Sequence, residues 1–344
     1  MWFWNKILSF LGLFYYWQLC HADSALKLPS QEDFIAEVLN ITVDKLQEIA
    51  RNFKFTVDES IGSNIKLIQF KGDTNISTSL NEKGDIEIDA SEQIVIIIHG
   101  YQSAGTADWV KSMAALYQEN GVRNVLAVDW SEYAGKGYLL AAGITREVGR
   151  LIAKWFYKNV LQENPSGTRN MQLVGHSLGG HVSGFMAKKL FGLVKKKIQR
   201  ISGLDVAAPL FEFPIKRPDE NRLSKSDAKQ VDVYHSNKGF FGFLTRFGQQ
   251  DFYINKGGPI QPGCNMGINV ISSLQCSHSY SHLFFTQTIN STNHVATLCD
   301  NTVLLDLGKC DDNFKVISGQ NTNSSSVAGI FYGSADENGL TASN

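Results

Sequence analysis

Apolar side chains in this chain fall into short unbroken runs, separated by stretches with helical spacing. Ile94-Val-Ile-Ile-Ile98 is five branched residues with no polar break. Successive strand side chains point to opposite faces, so such a run predicts a strand buried on both. Asn124-Val-Leu-Ala-Val-Asp129 reads as the next buried strand, and residues 171–174, 198–204 and 231–235 read as further strands. Residues 108–120, stopped by Gly121, and residues 138–160 and 182–191 carry apolar positions at helical spacing. Strands alternating with helices from residue 94 to about 205 predict an α/β fold, a mostly parallel, doubly wound central sheet with helices on both faces.

The flanks are less regular. Residues 34–53 show partly helical spacing (Phe34, Ile35, Val38, Leu39, Leu46, Ile49) and predict one or two short helices lying on the main domain. Residues 65–70 alternate and read as a strand. Residues 71–92 read as a polar loop with a short strand at 86–88. Residues 290–344 are rich in Ser, Asn and Gly and are expected to close the domain rather than form another. The division expected is 1–22 as a leader, 23–63 as an N-terminal extension and 64–344 as one domain, with no added C-terminal β-sandwich.

One turn in the alternating region carries candidate chemistry. Met171 to Val174 leads into Gly175-His-Ser-Leu-Gly179, and a helical pattern follows. Strand, G-x-S-x-G and helix in that order describe a sharp turn that presents a serine hydroxyl. Gly175 and Gly179 are expected where a Cβ would clash between strand and helix.

Composition adds the compartment. The 344 residues are 43% hydrophobic and 19% charged, with a net charge of -1. That suits a sizeable core and gives no electrostatic footprint for nucleic acid. Lys6 precedes an apolar run over 7–17, and Gln18-Leu-Cys-His-Ala22 offers a small-residue cleavage site. The run is shorter than the roughly 20 residues that span a bilayer, so a secreted, extracellular protein is expected. Cleavage after Ala22 would remove Cys20 and leave Cys264, Cys276, Cys299 and Cys310. Four cysteines allow three connectivities. Neighbour pairing, 264 with 276 and 299 with 310, closes two small local loops and is the expectation. Asn40, Asn75, Asn290 and Asn323 head N-x-S/T sequons and are glycosylation candidates.

A serine hydroxyl needs a histidine to take its proton and a carboxylate to orient that histidine. In doubly wound hydrolases the acid and then the histidine follow the serine in the chain, at the C-terminal ends of strands. Asp205 directly follows the strand at 198–204, whereas its rival Asp232 lies inside a strand. His235, His278, His282 and His294 are the histidines after Asp205. His278 is expected in a loop anchored by Cys276, ahead of a helix-like stretch at 283–289, and His282 is its main competitor. The oxyanion of an acyl-transfer intermediate needs backbone N–H donors. Leu178, after the serine, and Tyr101, after the first buried strand, are the expected donors.

Several motifs together resemble the animal pancreatic-type lipase family: Gly-His-Ser-Leu-Gly-Gly-His at 175–181, Ile-Ile-His-Gly at 97–100, Val-Asp-Trp-Ser at 128–131, Gly-Leu-Asp at 203–205, Ser-Asp-Ala-Lys-Gln-Val-Asp-Val at 226–233 and Cys-Ser-His at 276–278. The likeness runs from about residue 64 to 318. It implies an α/β-hydrolase fold, a Ser177–Asp205–His278 triad, an oxyanion hole at Tyr101 and Leu178, and hydrolysis of lipid carboxylic esters at a membrane or lipid-droplet interface. No cofactor, no nucleic acid and no colipase-like partner are expected, and a monomer is.

The departures shape the expectation. Calcium-binding members carry acidic ligands before Ser-Asp-Ala-Lys. Here Asp219, Arg222 and Asp227 remain, but Ser224 stands where a carboxylate is expected. Calcium prefers six to eight oxygens, so no metal is expected. The lid of the family lies between the cysteines matching Cys264 and Cys276, and only eleven residues separate these. That resembles the short-lid secreted phospholipases that cut the sn-1 ester, and the insect short-lid relatives. The lid residues 266–271 are still partly apolar, and Phe240-Phe-Gly-Phe-Leu244 is a second apolar loop. The alternative is a non-catalytic binding member, like the yolk-protein relatives that lose triad residues.

Overall fold

The computed structural model describes residues 30–340, apart from 73, 266, 268 and 323–326. The expected leader with Cys20, the sequon asparagine Asn323 and lid residues Met266 and Ile268 lie outside the described residues.

One 11-stranded sheet organises the chain. The strands are β1 (Lys66–Lys71), β2 (Thr74–Ser79), β3 (Ile94–Ile98), β4 (Asn124–Asp129), β5 (Met171–His176), β6 (Ile198–Leu204), β7 (Ala228–His235), β8 (Gln250–Ile254), β9 (Val295–Leu298), β10 (Lys315–Ile317) and β11 (Gly329–Gly333). Their spatial order is β10-β9-β11-β8-β7-β6-β5-β3-β4-β1-β2. From β11 across to β4 every neighbouring pair is parallel; β1 and β2 join one edge antiparallel and β9 and β10 the other. This is the doubly wound α/β-hydrolase arrangement.

The helices named below are α1 (Gln31–Leu39), α2 (Val43–Asn52), α3 (Asp108–Glu119), α4 (Tyr138–Phe156), α5 (Leu178–Val194) and α6 (Val270–Gln287). The unbroken run of β3 explains the layering. Ile94, Ile96 and Ile98 point into one core with Val148 of α4 and Val182 of α5. Val95 and Ile97 point into the other with Met113 of α3 and Phe284 of α6. All five side chains are essentially fully buried, each worth about 1.5–3 kcal/mol. A polar residue anywhere in the run would face a dry layer.

The structure departs from the sequence reading at the edges. Residues 71–92 were expected to be loop with a strand at 86–88, but the strand is β2, earlier, paired along β1. Ile86–Ile88 stays irregular because a side chain satisfies its backbone: the Gln69 amide donates to the Glu87 carbonyl and accepts from the Glu87 N–H. The tail contributes β9, β10 and β11 to the sheet edge, where the sequence pattern predicts no strands, and β8 likewise has no counterpart in that pattern. The expected strand at 171–174 runs on to His176, and the expected helix at 182–191 begins at Leu178 and ends at Val194.

The N-terminal helices pack on the sheet's first layer, as their apolar spacing predicted. Ser30 caps α1 by accepting from the Asp33 N–H, and Asn40 ends it in the left-handed conformation that asparagine tolerates. Thr42 caps α2 in the same way. Phe34, Ile35, Leu46 and Ala50 are buried in the common core.

Candidate active site

Ser177 sits between β5 and α5 at φ 56° and ψ -124°, a region sparsely used by side-chain-bearing residues and worth roughly 1–3 kcal/mol of local strain. Close packing holds it there. A Cβ on Gly175 would lie 2.4 Å from the Gly179 carbonyl oxygen, and one on Gly179 would lie 2.1 Å from the Ile98 carbonyl oxygen. Both expected glycines are therefore required by the approach of α5 to β5 and β3. The Ser177 N–H donates to the Leu204 carbonyl at 3.0 Å, tying the turn to the end of β6.

Asp205 follows β6 by one residue and is fully buried. Its Oδ1 accepts from the backbone N–H groups of Ser236 and Asn237 at 2.9 and 3.1 Å, and its Oδ2 meets His278 Nδ1 at 2.6 Å. A neutral His278 must then donate from Nδ1, which leaves Nε2 as its basic nitrogen. Gly242 makes room, since a Cβ there would fall 2.3 Å from Asp205 Oδ1. Ser236, Asn237 and Gly242 were not singled out from the sequence. Only the tertiary course of the loop after β7 brings them to the carboxylate.

His278 lies inside α6, not in the loop expected for it. The correction has a local cause. Asn269 caps α6 by accepting from the Ser272 N–H, so the helix starts before Cys276 and carries His278 on its surface. The Cys264–Cys276 disulfide staples the preceding loop to that helix, and Cys299–Cys310 forms the second bridge, both in the neighbour pairing expected. Residues from Val270 on are helical, so α6 takes up the C-terminal part of the segment between the bridged cysteines.

The other histidines are placed elsewhere. His282 is half-buried, stacked on Trp109 at 4.6 Å, with Nδ1 inaccessible and lacking a partner. Burial, followed by repulsion from His278, lowers its pKa to about 3. His176, whose Nε2 lies 3.2 Å from the His278 carbonyl oxygen, is also held well below the usual range by burial. His235 pairs with Asp251, and His294 packs edge-on to Phe284. Asp232, the rival carboxylate, is bound by both arms of the buried Arg200 guanidinium at 2.8 Å.

The segment after β3 completes the geometry. His99 is buried and stacked on Trp130; its Nδ1 lies 2.9 Å from the Gly100 carbonyl oxygen and its Nε2 accepts from the Trp130 N–H at 3.1 Å. This frame brings Gly100 against the elbow, so close that a Cβ would lie 2.6 Å from Ser177 Cβ. Tyr101 follows immediately. Leu178 opens α5, where first-turn N–H groups have no intrahelical acceptor. Ser177, His278 and Tyr101 line one cavity of about 490 Å³. Phe243 of the second apolar loop is core, Phe241 packs 5.3 Å from the His278 ring, and Leu244 is exposed.

The loop before β7, where the resemblance would put calcium, does not fit that ion. Lys188 donates from Nζ to the Arg222 carbonyl oxygen and to the Asp227 carboxylate, which also accepts from Ser224 N–H and Oγ. Asp219 pairs with Arg222. The charged oxygens here already face an ammonium and a guanidinium of the chain. Of the sequon asparagines, Asn40, Asn75 and Asn290 are exposed.

Sheet order, strained serine turn and strand-end carboxylate define an α/β-hydrolase-fold protein. The family model described as Lipase matches residues 29–319, and the chain belongs to that family. Lipoprotein lipase from Neovison vison is 37% identical over 240 residues, covering 64% of this chain and 49% of that protein. The Homo sapiens lipoprotein lipase is 36% identical over 240 residues, covering 64% and 49%. The chain spans about half the length of the curated relatives it matches. Among solved structures, an esterase of Pyrococcus furiosus aligns with 55% of this chain and 79% of its own at 16% identity and TM-score 0.31, too slight a likeness to add to the topology.

Proposed function

We propose that this protein is a serine esterase that hydrolyses carboxylic ester bonds of lipids. The observation that carries the reading is the 2.6 Å contact of His278 with Asp205 on the cavity lined by Ser177. In this reading Ser177 Oγ attacks the ester carbonyl while His278 Nε2 takes its proton. The buried Asp205 holds the ring in the required tautomer and stabilises the imidazolium. The N–H groups of Tyr101 and Leu178 receive the developing oxyanion. The protonated His278 then gives its proton to the leaving alkoxide, and an acyl-Ser177 ester remains. Water, deprotonated by His278, attacks that ester; collapse frees the fatty acid and restores Ser177 Oγ–H.

The finer reading is hydrolysis of the sn-1 ester of phospholipids, by a protein secreted with its leader removed. The support is the short lid. Only eleven residues separate the bridged cysteines, and those from Val270 on belong to α6, so little of the segment is left to fold over the mouth. A charged, hydrated headgroup is costly to bury under an apolar cover, and a short lid avoids that burial. The family membership supports ester hydrolysis, and the filled triad positions weigh against a purely ligand-binding role.

The test is hydrolysis by the secreted full chain and its Ser177→Ala variant, on phospholipid vesicles and triacylglycerol emulsions at matched interfacial area. Phospholipid turnover comparable to or above triacylglycerol turnover, lost in the variant, is expected. A tenfold preference for triacylglycerol, about 1.4 kcal/mol of barrier, contradicts the phospholipase reading alone. Turnover that survives Ser177→Ala contradicts the esterase.

A further inference from the structure

The cavity that holds Ser177 and His278 has one wall the mechanism does not use. That wall is α1, far away in sequence. Phe34, Ile35, Val38 and Leu39 of this helix line the same cavity as Ser177 and His278. They fall at positions i, i+1, i+4 and i+5, which share one face of a helix.

Aromatic contacts fix the helix in place. The Phe34 ring meets Phe240 and Phe241 edge-on at 5.3 and 4.8 Å. Phe241 in turn packs against the His278 ring. Phe34 and Ile35 are buried in the common core, while Val38 and Leu39 stay half-buried at the cavity. Core packing accounts for the first pair. It covers Val38 and Leu39 only in part, and both line the cavity that also holds a serine and a histidine.

We propose that α1 is the wall against which the acyl chain of the substrate lies, with Val38 and Leu39 selecting its length. This rests on the esterase reading of the same cavity. An ester carbonyl at Ser177 must send an alkyl chain somewhere, and a chain in contact with apolar surface gains about fourfold in binding per methylene removed from water. The Val38 and Leu39 side chains offer that contact, with Glu37 of the same helix lining the cavity beside them.

The experiment compares the full chain with Val38→Phe, which narrows the wall, and Val38→Ala, which widens it. The first readout is kcat/KM on p-nitrophenyl acetate, hexanoate, decanoate and myristate. Val38→Phe is expected to lower the ratio of decanoate to acetate kcat/KM at least tenfold, and Val38→Ala to shift the optimum towards longer chains. Loss of fold would scale every chain length alike, so the ratio separates selection from damage. The second readout is the affinity of Ser177→Ala protein, with and without Val38→Phe, for the fluorescent fatty acid cis-parinaric acid. A tenfold weaker Kd is expected from Val38→Phe. A length profile and a Kd that both ignore Val38 overturn the wall. A shifted Kd in a protein whose wild type cleaves no ester keeps the wall and removes the esterase.

Discussion

Two histidine–aspartate pairs, Asp205 after β6 with His278 on α6 and His235 at the end of β7 with Asp251 on β8, are built almost alike. Asp205 accepts from two backbone N–H groups and one imidazole; so does Asp251, from Phe247 N–H, Gly248 N–H and His235 Nε2. Both aspartates are buried. The difference lies in what the far side of each ring faces. The His278 side chain is 12% exposed and opens on the cavity with Ser177, whereas His235 is fully buried, stacked on Tyr253, with Nδ1 facing no partner. A hydrogen-bonded carboxylate therefore does not by itself make a histidine a base. Its second nitrogen must also reach a nucleophile, and of the two rings only that of His278 lies on the cavity lined by Ser177.

The comparison breaks most sharply under mutation of the two aspartates. Asp205→Asn should cut kcat by about 10⁴-fold while the protein stays folded, because the ring loses the partner that sets its tautomer. Asp251→Asn should leave kcat of the folded enzyme within a few-fold and cost about 3 kcal/mol in denaturant unfolding, as expected when one partner of a buried pair is changed. If both variants lose activity in proportion to stability, the two pairs are equivalent and both are structural.

The histidines in the shell of the site sharpen it. His282→Phe should keep the stack on Trp109 and leave hydrolysis within about tenfold, against a loss of several orders for His278→Ala. The same variant should change the pH dependence of stability. His282 and His181 have folded pKa values lowered to about 3, chiefly by burial. An unfolded histidine titrates near 6.5, so their neutral burial costs nothing extra above that pH. Below it the unfolded chain binds protons that the native state refuses. Each such histidine should remove about 1.4 kcal/mol of stability per pH unit between roughly 6.5 and 3. Urea unfolding at pH 7 and 5 should show a slope smaller by one such share in His282→Phe. An unchanged slope would mean that His282 is protonated in the native state.

The smallest expected effect is that of chelation. EDTA should leave hydrolysis unchanged, because Lys188 already faces Asp227 and the Arg222 carbonyl. Inactivation by EDTA with rescue by calcium would show that these oxygens rearrange around an ion.

The central sheet and the turn at Ser177 were legible because their signals are local. An unbroken branched run such as 94–98 has few uses except a doubly buried strand, and the two glycines around Ser177 answer to contacts within one strand–helix unit. Asp205 was legible through its place at a strand end. The rest depended on distant partners. β2 is polar and owes its existence to pairing with β1, while residues 86–88 lose a ladder to the Gln69 side chain. β9 to β11 are too short and mixed to show a period. α6 is rich in serine, which weakens its helical signal, so His278 was expected in a loop. The apolar face of α1 was visible, but its destination beside His278 is set by Phe240 and Phe241, some two hundred positions away.

One measurement meets the central claim head on. The purified full chain is treated with a fluorescent alkyl fluorophosphonate, which phosphonylates a serine with loss of fluoride only when a neighbouring base activates it, and the modified peptide is identified by mass spectrometry. Stoichiometric modification at Ser177, abolished in His278→Ala and kept in His235→Gln, is the predicted result. Labelling of Ser177 that persists without His278, or that disappears only without His235, would contradict the assignment of the Asp205–His278 pair as the one that activates the serine.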